Sequence, residues 1–311
     1  MRDKWAFVFP GQGSQYVGMG KLLYESSPAA RAVFERADEV LGFPLSKLCF
    51  EGPVDELQDT INAQPAILTV SIAALEALKE KWGKLGAIIA PRFVAGHSLG
   101  EYTALVAAGS LSFEDTLLLV RERGRLMKEA DQTVPGGMAA VIGLQREEVE
   151  QVCEEAQELG VVVCANANSP VQNVISGDLA ALNRAMELAK QRGAQRVARL
   201  AVSIASHSPL MQQAGEQLAR IIENLQLSDP SVPIIGNLSG QALTTADEIK
   251  RELVAHLVGS VQWSRSVRQM VDQGISNFME IGPGSTLSGL IKRISDEVET
   301  MTLSDADFAK V

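Results

Sequence analysis

Residues Gly96-His97-Ser98-Leu99-Gly100-Glu101 hold the side chains best suited to covalent chemistry. A serine between two glycines follows the short apolar run Phe93-Val94-Ala95 and precedes the helix-compatible Tyr102-Thr103-Ala104-Leu105-Val106-Ala107-Ala108. That order, strand then tight turn then helix, is the setting of a nucleophile elbow. Such a turn strains the serine backbone and needs glycines where strand and helix close on each other. Ser98 would stand at a helix N-terminus, where the free N–H of Leu99 and the positive end of the helix dipole can meet an oxyanion. The pattern G-x-S-x-G fixes only three residues, so the flanking strand and helix separate a nucleophile from a chance match.

A serine nucleophile needs a base, and the chain offers His97, His207 and His256. His97 adjoins Ser98 in a turn that sends neighbouring side chains apart. His256 lies inside an amphipathic helical stretch and reads as a surface or packing residue. His207, in Ser203-Ile204-Ala205-Ser206-His207-Ser208-Pro209, falls in a break between strand and helix, where loops carry function. It is the candidate base. No Asp or Glu marks itself as a third member, so a Ser98/His207 dyad is expected, with the imidazole held by a backbone carbonyl.

Two more stretches could serve such a dyad. Pro10-Gly11-Gln12-Gly13-Ser14-Gln15 stops the apolar run Trp5 to Phe9, and its glycines allow the Gln12 amide to turn into a cavity. It is not a phosphate loop, because neither G-K-[ST] nor G-x-G-x-x-G is present. Arg121, Arg123 and Arg125 lie along a helical stretch from Phe113 to Ala130 that opens on a serine capping signal. Read from the helix alone, all three are solvated charges paired with Glu122 and Glu129. Cys49, Cys153 and Cys164 show no C-x-x-C spacing, so they read as free thiols in a reducing cytosol, with neither disulfide framework nor metal site.

The elements that must position these groups are those of an α/β protein. At 311 residues, one large domain carrying a smaller one is expected. Helical patterning covers Ala29 to Leu41 and Pro65 to Trp82, the second with Ile67, Leu68, Ile72, Leu75 and Leu78 along one face. From Pro135-Gly136-Gly137 the pattern shortens to strand 138–143, helix 146–159, strand 161–165, strand 172–176, helix 179–192 and strand 196–202. This βαββαβ order is the split β-α-β motif of ferredoxin-like folds. The reading is therefore an inserted domain over 135–203 and a large domain made of 1–134 and 204–311. The large domain resumes with helix 209–225, strand 232–237, helix 246–257, a helix opened by Gln262-Trp263 through Val271, strand 277–281 and a last helix, 287–294.

Bulk properties narrow the class. Hydrophobic residues are 46% and charged residues 21%, ordinary for a globular protein. The net charge of −10, without acidic blocks, argues against nucleic acid and against an anionic membrane surface as partners. The N-terminal residues lead straight into a strand-like segment with no apolar stretch long enough for a signal peptide or membrane span, so a cytoplasmic protein is expected.

Taken together, Pro10 to Gln15, Gly96 to Glu101, Arg121-x-Arg123-Gly124, Asn166-Ala167-Asn168-Ser169-Pro170, Ser206-His207, Val261-Gln262-Trp263 and Glu280-Ile281-Gly282-Pro283-Gly284 resemble the malonyl-CoA:acyl carrier protein transacylases. The motifs occur in that family's order along essentially the whole chain. The resemblance implies an α/β-hydrolase-like core with a ferredoxin-like insert, and no cofactor. It implies Ser98 as nucleophile, His207 as base, the Gln12 and Leu99 N–H groups as oxyanion donors, and Gln262 as an aid to the histidine. Arg123 would bind the malonyl carboxylate, which a guanidinium meets with two parallel hydrogen bonds. Malonyl-CoA and an acyl carrier protein are the implied partners. An acidic chain needs a local basic surface for an acidic carrier, and Arg184, Lys190, Arg192, Arg196 and Arg199 in the insert are candidates. Two alternatives keep the same dyad: an acyl hydrolase, with water as acceptor, and a polyketide acyltransferase using methylmalonyl-CoA. The second draws on Ile204-Ala205-Ser206-His207, which partly resembles the motif of methylmalonyl-selective domains.

Overall fold

The computed structural model describes residues 4–85, 90–200 and 204–304. Strand β1 (Trp5–Phe9) is followed by α1 (Lys21–Ser26), α2 (Pro28–Leu41), α3 (Leu45–Glu51), α4 (Val54–Gln58) and α5 (Thr60–Lys84). Next come β2 (Phe93–Gly96), α6 (Leu99–Ala107) and α7 (Phe113–Thr133). A second unit holds β3 (Gly136–Ile142), α8 (Arg146–Ala156), β4 (Val162–Ser169), β5 (Gln172–Asp178), α9 (Leu179–Gln191) and β6 (Arg196–Arg199). The chain then forms α10 (Gln212–Glu223), β7 (Ile234–Ile235), β8 (Ala242–Leu243), α11 (Ala246–His256), α12 (Trp263–Asp272), β9 (Asn277–Ile281), α13 (Thr286–Ile294) and β10 (Glu299–Leu303).

The first and last parts of the chain share one six-stranded sheet in the order β10-β9-β1-β2-β7-β8. All its pairs are parallel except β7 with β8. Parallel strands are covered on both faces, and β1 shows why its residues are apolar throughout. Phe7 and Phe9 join the core beneath α5 and α6, while Ala6 and Val8 face Trp263, Val267 and Leu290 on the other side. The strand C-termini at Phe9, Gly96, Ile235 and Ile281 open into the loops at 10–15, 97–98, 236–240 and 282–285. In open parallel sheets ligands bind outside those ends.

The second sheet has the order β4-β5-β3-β6 and is antiparallel throughout. α8 and α9 cover it through Val149, Val152, Leu182 and Ala185 against Val141 and Ile175. β4 ties this unit to the large one: Ala167 N–H donates to the Val261 carbonyl and Val261 N–H to that of Ala165, both at 2.8 Å.

Several boundaries differ from the sequence reading for identifiable reasons. α5 begins at Thr60, with the Asp59 side chain accepting from Ile61 N–H, and so contains Pro65 rather than starting on it. Its first turn carries Thr60 and Gln64, polar residues that break the apolar pattern yet are buried. The expected strand 232–237 pairs only at Ile234 and Ile235, because Gly236 and Asn237 turn out of the sheet. The expected helix 209–225 is a 3₁₀ turn at Pro209–Met211 followed by α10. α1, α3 and α4 are too short for a helical period to show. The expected strand 196–202 spans Arg196–Arg199, and the proposed domain junction at 201–203 lies outside the described residues. Among the described residues α5 is long and apolar enough to cross a membrane by length and composition, but 83% of its most apolar window is buried within the protein.

Candidate active site

The elbow at Ser98 is built by close approach. Ser98 has φ 50° and ψ −109°, and helix α6 starts at the next residue. A Cβ on Gly96 would stand 1.8 Å from the Gly100 carbonyl carbon, and one on Gly100 would stand 2.0 Å from the Phe9 carbonyl oxygen. Only glycine permits these contacts between β2, α6 and β1. The Leu99 N–H, at the first position of α6, has no acceptor within the helix and sits in the positive end of its dipole.

His207 reaches this serine from 109 positions further along the chain. Its Nε2 lies 2.7 Å from Ser98 Oγ, and its Nδ1 lies 3.1 Å from the His256 carbonyl oxygen and 3.0 Å from that of Gly259. Carbonyls only accept, so Nδ1 carries the proton and Nε2 is left free to accept from the serine hydroxyl. Burial, then the Arg123 and His97 charges, push the His207 pKa down to about 3, so the ring is neutral at ordinary pH. Ser98 and His207 are the two non-glycine residues with positive φ among the described residues. Strain in the backbone thus coincides with the two groups placed to react.

Arg123 is 1% exposed and projects from α7 toward the same serine. Its Nη2 donates to Ser98 Oγ at 3.2 Å and its Nη1 to Gln64 Oε1 at 2.7 Å. Its Nε has no partner among the described residues. A buried guanidinium whose hydrogen-bond partners are neutral is costly, and burial lowers its pKa. The neighbouring arginines behave differently: Arg125 pairs with Glu122 and Glu129, and Arg121 stacks over Phe43 with Cζ 4.3 Å from the ring centre. Gln64 Nε2 also donates to Thr60 Oγ1 at 2.8 Å, and Thr60 donates to Gln12 Oε1 at 3.1 Å. This chain of bonds sets the 10–15 loop beside Arg123 and Ser98.

Of the residues expected from sequence, the structure gathers Ser98, His207, Leu99, Arg123 and Gln12 at the strand ends. The Gln262 side chain makes no hydrogen bond to His207 among the described residues. Its Nε2 donates to the Ser260 carbonyl at 3.3 Å, and both nitrogens of the His207 ring are already engaged by other groups. The imidazole is held instead by main-chain carbonyls of 256 and 259. The insert arginines lie outside the site, and two are matched by acids: Arg184 is 3.9 Å from Glu158 and Arg192 pairs with Glu155.

The whole-chain likeness can be set beside this geometry. A family model described as an acyl transferase domain matches residues 6–306. The malonyl CoA-acyl carrier protein transacylase of Bacillus subtilis (strain 168) is 47% identical over 306 residues, covering 98% of this chain and 95% of that one. The chain belongs to the malonyl CoA-acyl carrier protein transacylase family. The solved malonyl CoA-acyl carrier protein transacylase of Coxiella burnetii superposes with a TM-score of 0.94 at 41% identity, covering 100% of this chain and 97% of that one. A malonyl-transacylase solved in complex with its type II PKS acyl-carrier protein gives 0.93 at 39% identity, with 99% and 98% covered.

Within this member of the transacylase family, sequence reasoning missed several groups at the site. Thr60 and Gln64 precede Pro65, where the apolar pattern places the helix start, so that pattern leaves them out of the helix. His256 is fully buried, and its carbonyl oxygen is the functional atom, which no side-chain pattern reports. Its Nε2 is 3.7 Å from Glu101 Oε2, and burial pushes the histidine pKa well down and the glutamate pKa well up, each toward its neutral form. His97 turns away from the dyad and bonds Asn168 Oδ1 at 2.7 Å. Asn237, outside every motif quoted, bonds the elbow directly.

Proposed function

We propose that this chain moves a malonyl group from malonyl-CoA to the phosphopantetheine thiol of an acyl carrier protein, through a malonyl ester on Ser98, for fatty acid or polyketide synthesis. Ser98 Oγ attacks the thioester carbonyl while its proton passes to His207 Nε2. The Leu99 and Gln12 N–H groups meet the oxyanion, each contributing about 10²–10³-fold. Collapse breaks the C–S bond, and the departing thiol takes the proton from His207. In the second half the carrier thiol gives its proton to His207 and attacks the ester, and Ser98 leaves with that proton.

The observation that carries this reading is the buried Arg123 guanidinium 3.2 Å from the nucleophile, with no acidic hydrogen-bond partner among the described residues. With Nη1 committed to Gln64, the edge formed by Nε and Nη2 is left for a carboxylate, which it accepts in two parallel hydrogen bonds. An acyl group ending in a carboxylate supplies the missing charge. The names of the relatives agree, with malonyl-CoA and the acyl carrier protein as what those proteins act on. An enzyme hydrolysing uncharged acyl groups gains nothing from that arginine. We read the large unit, 1–134 with 204–311, as α/β-hydrolase-like, and the insert, 135–203, as ferredoxin-like; the β4-β5-β3-β6 order supports the latter. We read the protein as cytoplasmic. The carrier surface narrows to the exposed Lys190, Arg196 and Arg199, since Arg184 and Arg192 face acids.

The test is competition among malonyl-, methylmalonyl- and acetyl-CoA for the purified protein, read by intact mass, followed by addition of a holo carrier protein. A malonyl adduct on Ser98 that persists in water and is discharged by the carrier thiol is expected. Preferential loading of methylmalonyl groups moves the assignment to the other extender unit. Free malonate forming as fast without carrier as with it would make the protein a hydrolase.

A further inference from the structure

Asn237 lies in the turn between β7 and β8, is 1% exposed, and makes four hydrogen bonds, two of them to the elbow that carries Ser98. Its Oδ1 accepts from the Ser98 N–H at 2.7 Å, and its Nδ2 donates to the Gly96 carbonyl at 2.6 Å. The amide therefore spans the elbow, with one donor and one acceptor on either side of His97. The Asn237 N–H donates to Glu101 Oε2 at 2.9 Å, and its carbonyl accepts from the Gln262 N–H at 2.7 Å. The next residue, Leu238, packs so closely on Gly259 that a Cβ there would stand 2.5 Å from Leu238 Cδ2. Gly259 is one of the two residues whose carbonyl holds His207 Nδ1. One turn thus touches the serine through a side chain and backs the support of the histidine through its neighbour.

We propose that Asn237 is the positioning residue of this site, fixing the strained Ser98 backbone so that the hydroxyl meets His207 Nε2 and the Leu99 N–H faces the oxyanion. This rests on the acyl-transfer reading above. The physical case is that a residue at φ 50° must be held by bonds stronger than its own preference for another conformation. Gly100 and Glu101 donate back to His97 and Ser98 as the helix begins, but the Ser98 N–H points away from α6. Among the described residues its acceptor is the Asn237 amide oxygen. Asn237 touches no reacting atom, so its removal should leave the Arg123 grip on the acyl donor intact and lower the chemical step. A displacement of about 1 Å in such an arrangement costs on the order of 10²-fold.

The experiment compares Asn237→Ala and Asn237→Asp with the native protein, by circular dichroism for folding, kcat and KM for malonyl-CoA, and the rate at which a fluorophosphonate labels Ser98. For Asn237→Ala we expect kcat and the labelling rate to fall together by roughly 10²-fold with KM within about twofold. Asn237→Asp keeps an acceptor for the Ser98 N–H, but its ionised carboxylate repels the Gly96 carbonyl. Protonated, the acid again presents one donor and one acceptor, so its kcat relative to native should rise as pH falls from about 8 to about 5. A purely structural role predicts no such recovery. A folded Asn237→Ala protein with native kcat overturns the proposal. So does a pH-independent ratio for Asn237→Asp, which decides the matter alone if the alanine variant does not fold. Labelling of Ser98 needs no acyl donor, so a failure of the malonyl assignment would appear in the native protein's turnover while the labelling comparison still stands.

Discussion

Replacing Arg123 separates carboxylate recognition from general acyl transfer. The guanidinium is fixed by Gln64 on Nη1 and directed at Ser98 by Nη2, and in the proposed reading its Nε and Nη2 edge takes the substrate carboxylate. Two hydrogen bonds to a charged acceptor at about 1.5–3 kcal/mol each amount to about 3–6 kcal/mol, or ~10²–10⁴-fold in kcat/KM for malonyl-CoA. Acetyl-CoA has no carboxylate and loses none of this. Arg123→Ala should therefore drop malonyl loading by that factor while acetyl loading stays level or improves. Arg123→Lys should recover only part of the loss, because an ammonium cannot form the planar pair. The assay is single-turnover acylation of Ser98 by each donor, followed by intact mass. The cavity left by alanine disturbs Gln64 equally for both donors, so the ratio of the two rates isolates the carboxylate effect. An equal fall for malonyl and acetyl groups refutes the assignment.

The dyad makes its own demand: His207→Ala should cost about 10²–10⁴-fold in kcat in steady-state transfer assays, and Ser98→Ala should abolish the covalent adduct seen by mass. Protonation of the His207 ring removes the base, so rate falls as pH drops through its pKa. With that value near 3, kcat/KM for malonyl-CoA should be flat well below the ordinary histidine range, and an acid limb centred near 6.5 would contradict the burial argument. Gly100→Ala should cost about 1–3 kcal/mol of stability or more, read as a lower urea midpoint, since the clash is with backbone on a neighbouring strand. A combined Lys190→Glu and Arg196→Glu change should raise KM for the carrier and leave that for malonyl-CoA unaltered; an unchanged carrier KM in the same assay removes the proposed surface.

The parts legible in the sequence are those where one local rule governs. Gly96-His97-Ser98-Leu99-Gly100 specifies strand, turn and helix within nine residues, and the structure has that order. The alternation of short strands and helices after Pro135 likewise survives, with each element shifted by a few residues. What escaped was carried by long-range contact. Gln64 bonds Arg123, and Thr60 bonds Gln64 and Gln12, so the apolar pattern that marks packing helices fails at the turn nearest the site. A backbone carbonyl on the His207 imidazole is what the sequence leads one to expect, but which carbonyls, those of His256 and Gly259, no residue type reveals. Asn237 was read as the end of a strand, although its role depends on a residue 139 positions earlier.

The same feature explains why the site can be both strained and exact in its geometry. Ser98 and His207 adopt backbone conformations that cost of order 1–3 kcal/mol each, and each is restrained from the side away from substrate. The Ser98 N–H goes to Asn237, the His207 N–H to the Leu257 carbonyl at 3.1 Å, and the imidazole N–H to two further carbonyls. Behind them Glu101, Glu252 and His256 are buried, burial pushes all three toward their neutral forms, and the two carboxyls accept from the Asn237 and Leu238 N–H groups. The charge left uncompensated at the front is Arg123. A site arranged in this way favours an anion next to the nucleophile and holds a neutral base ready, which is what transfer of a carboxylate-bearing acyl group requires.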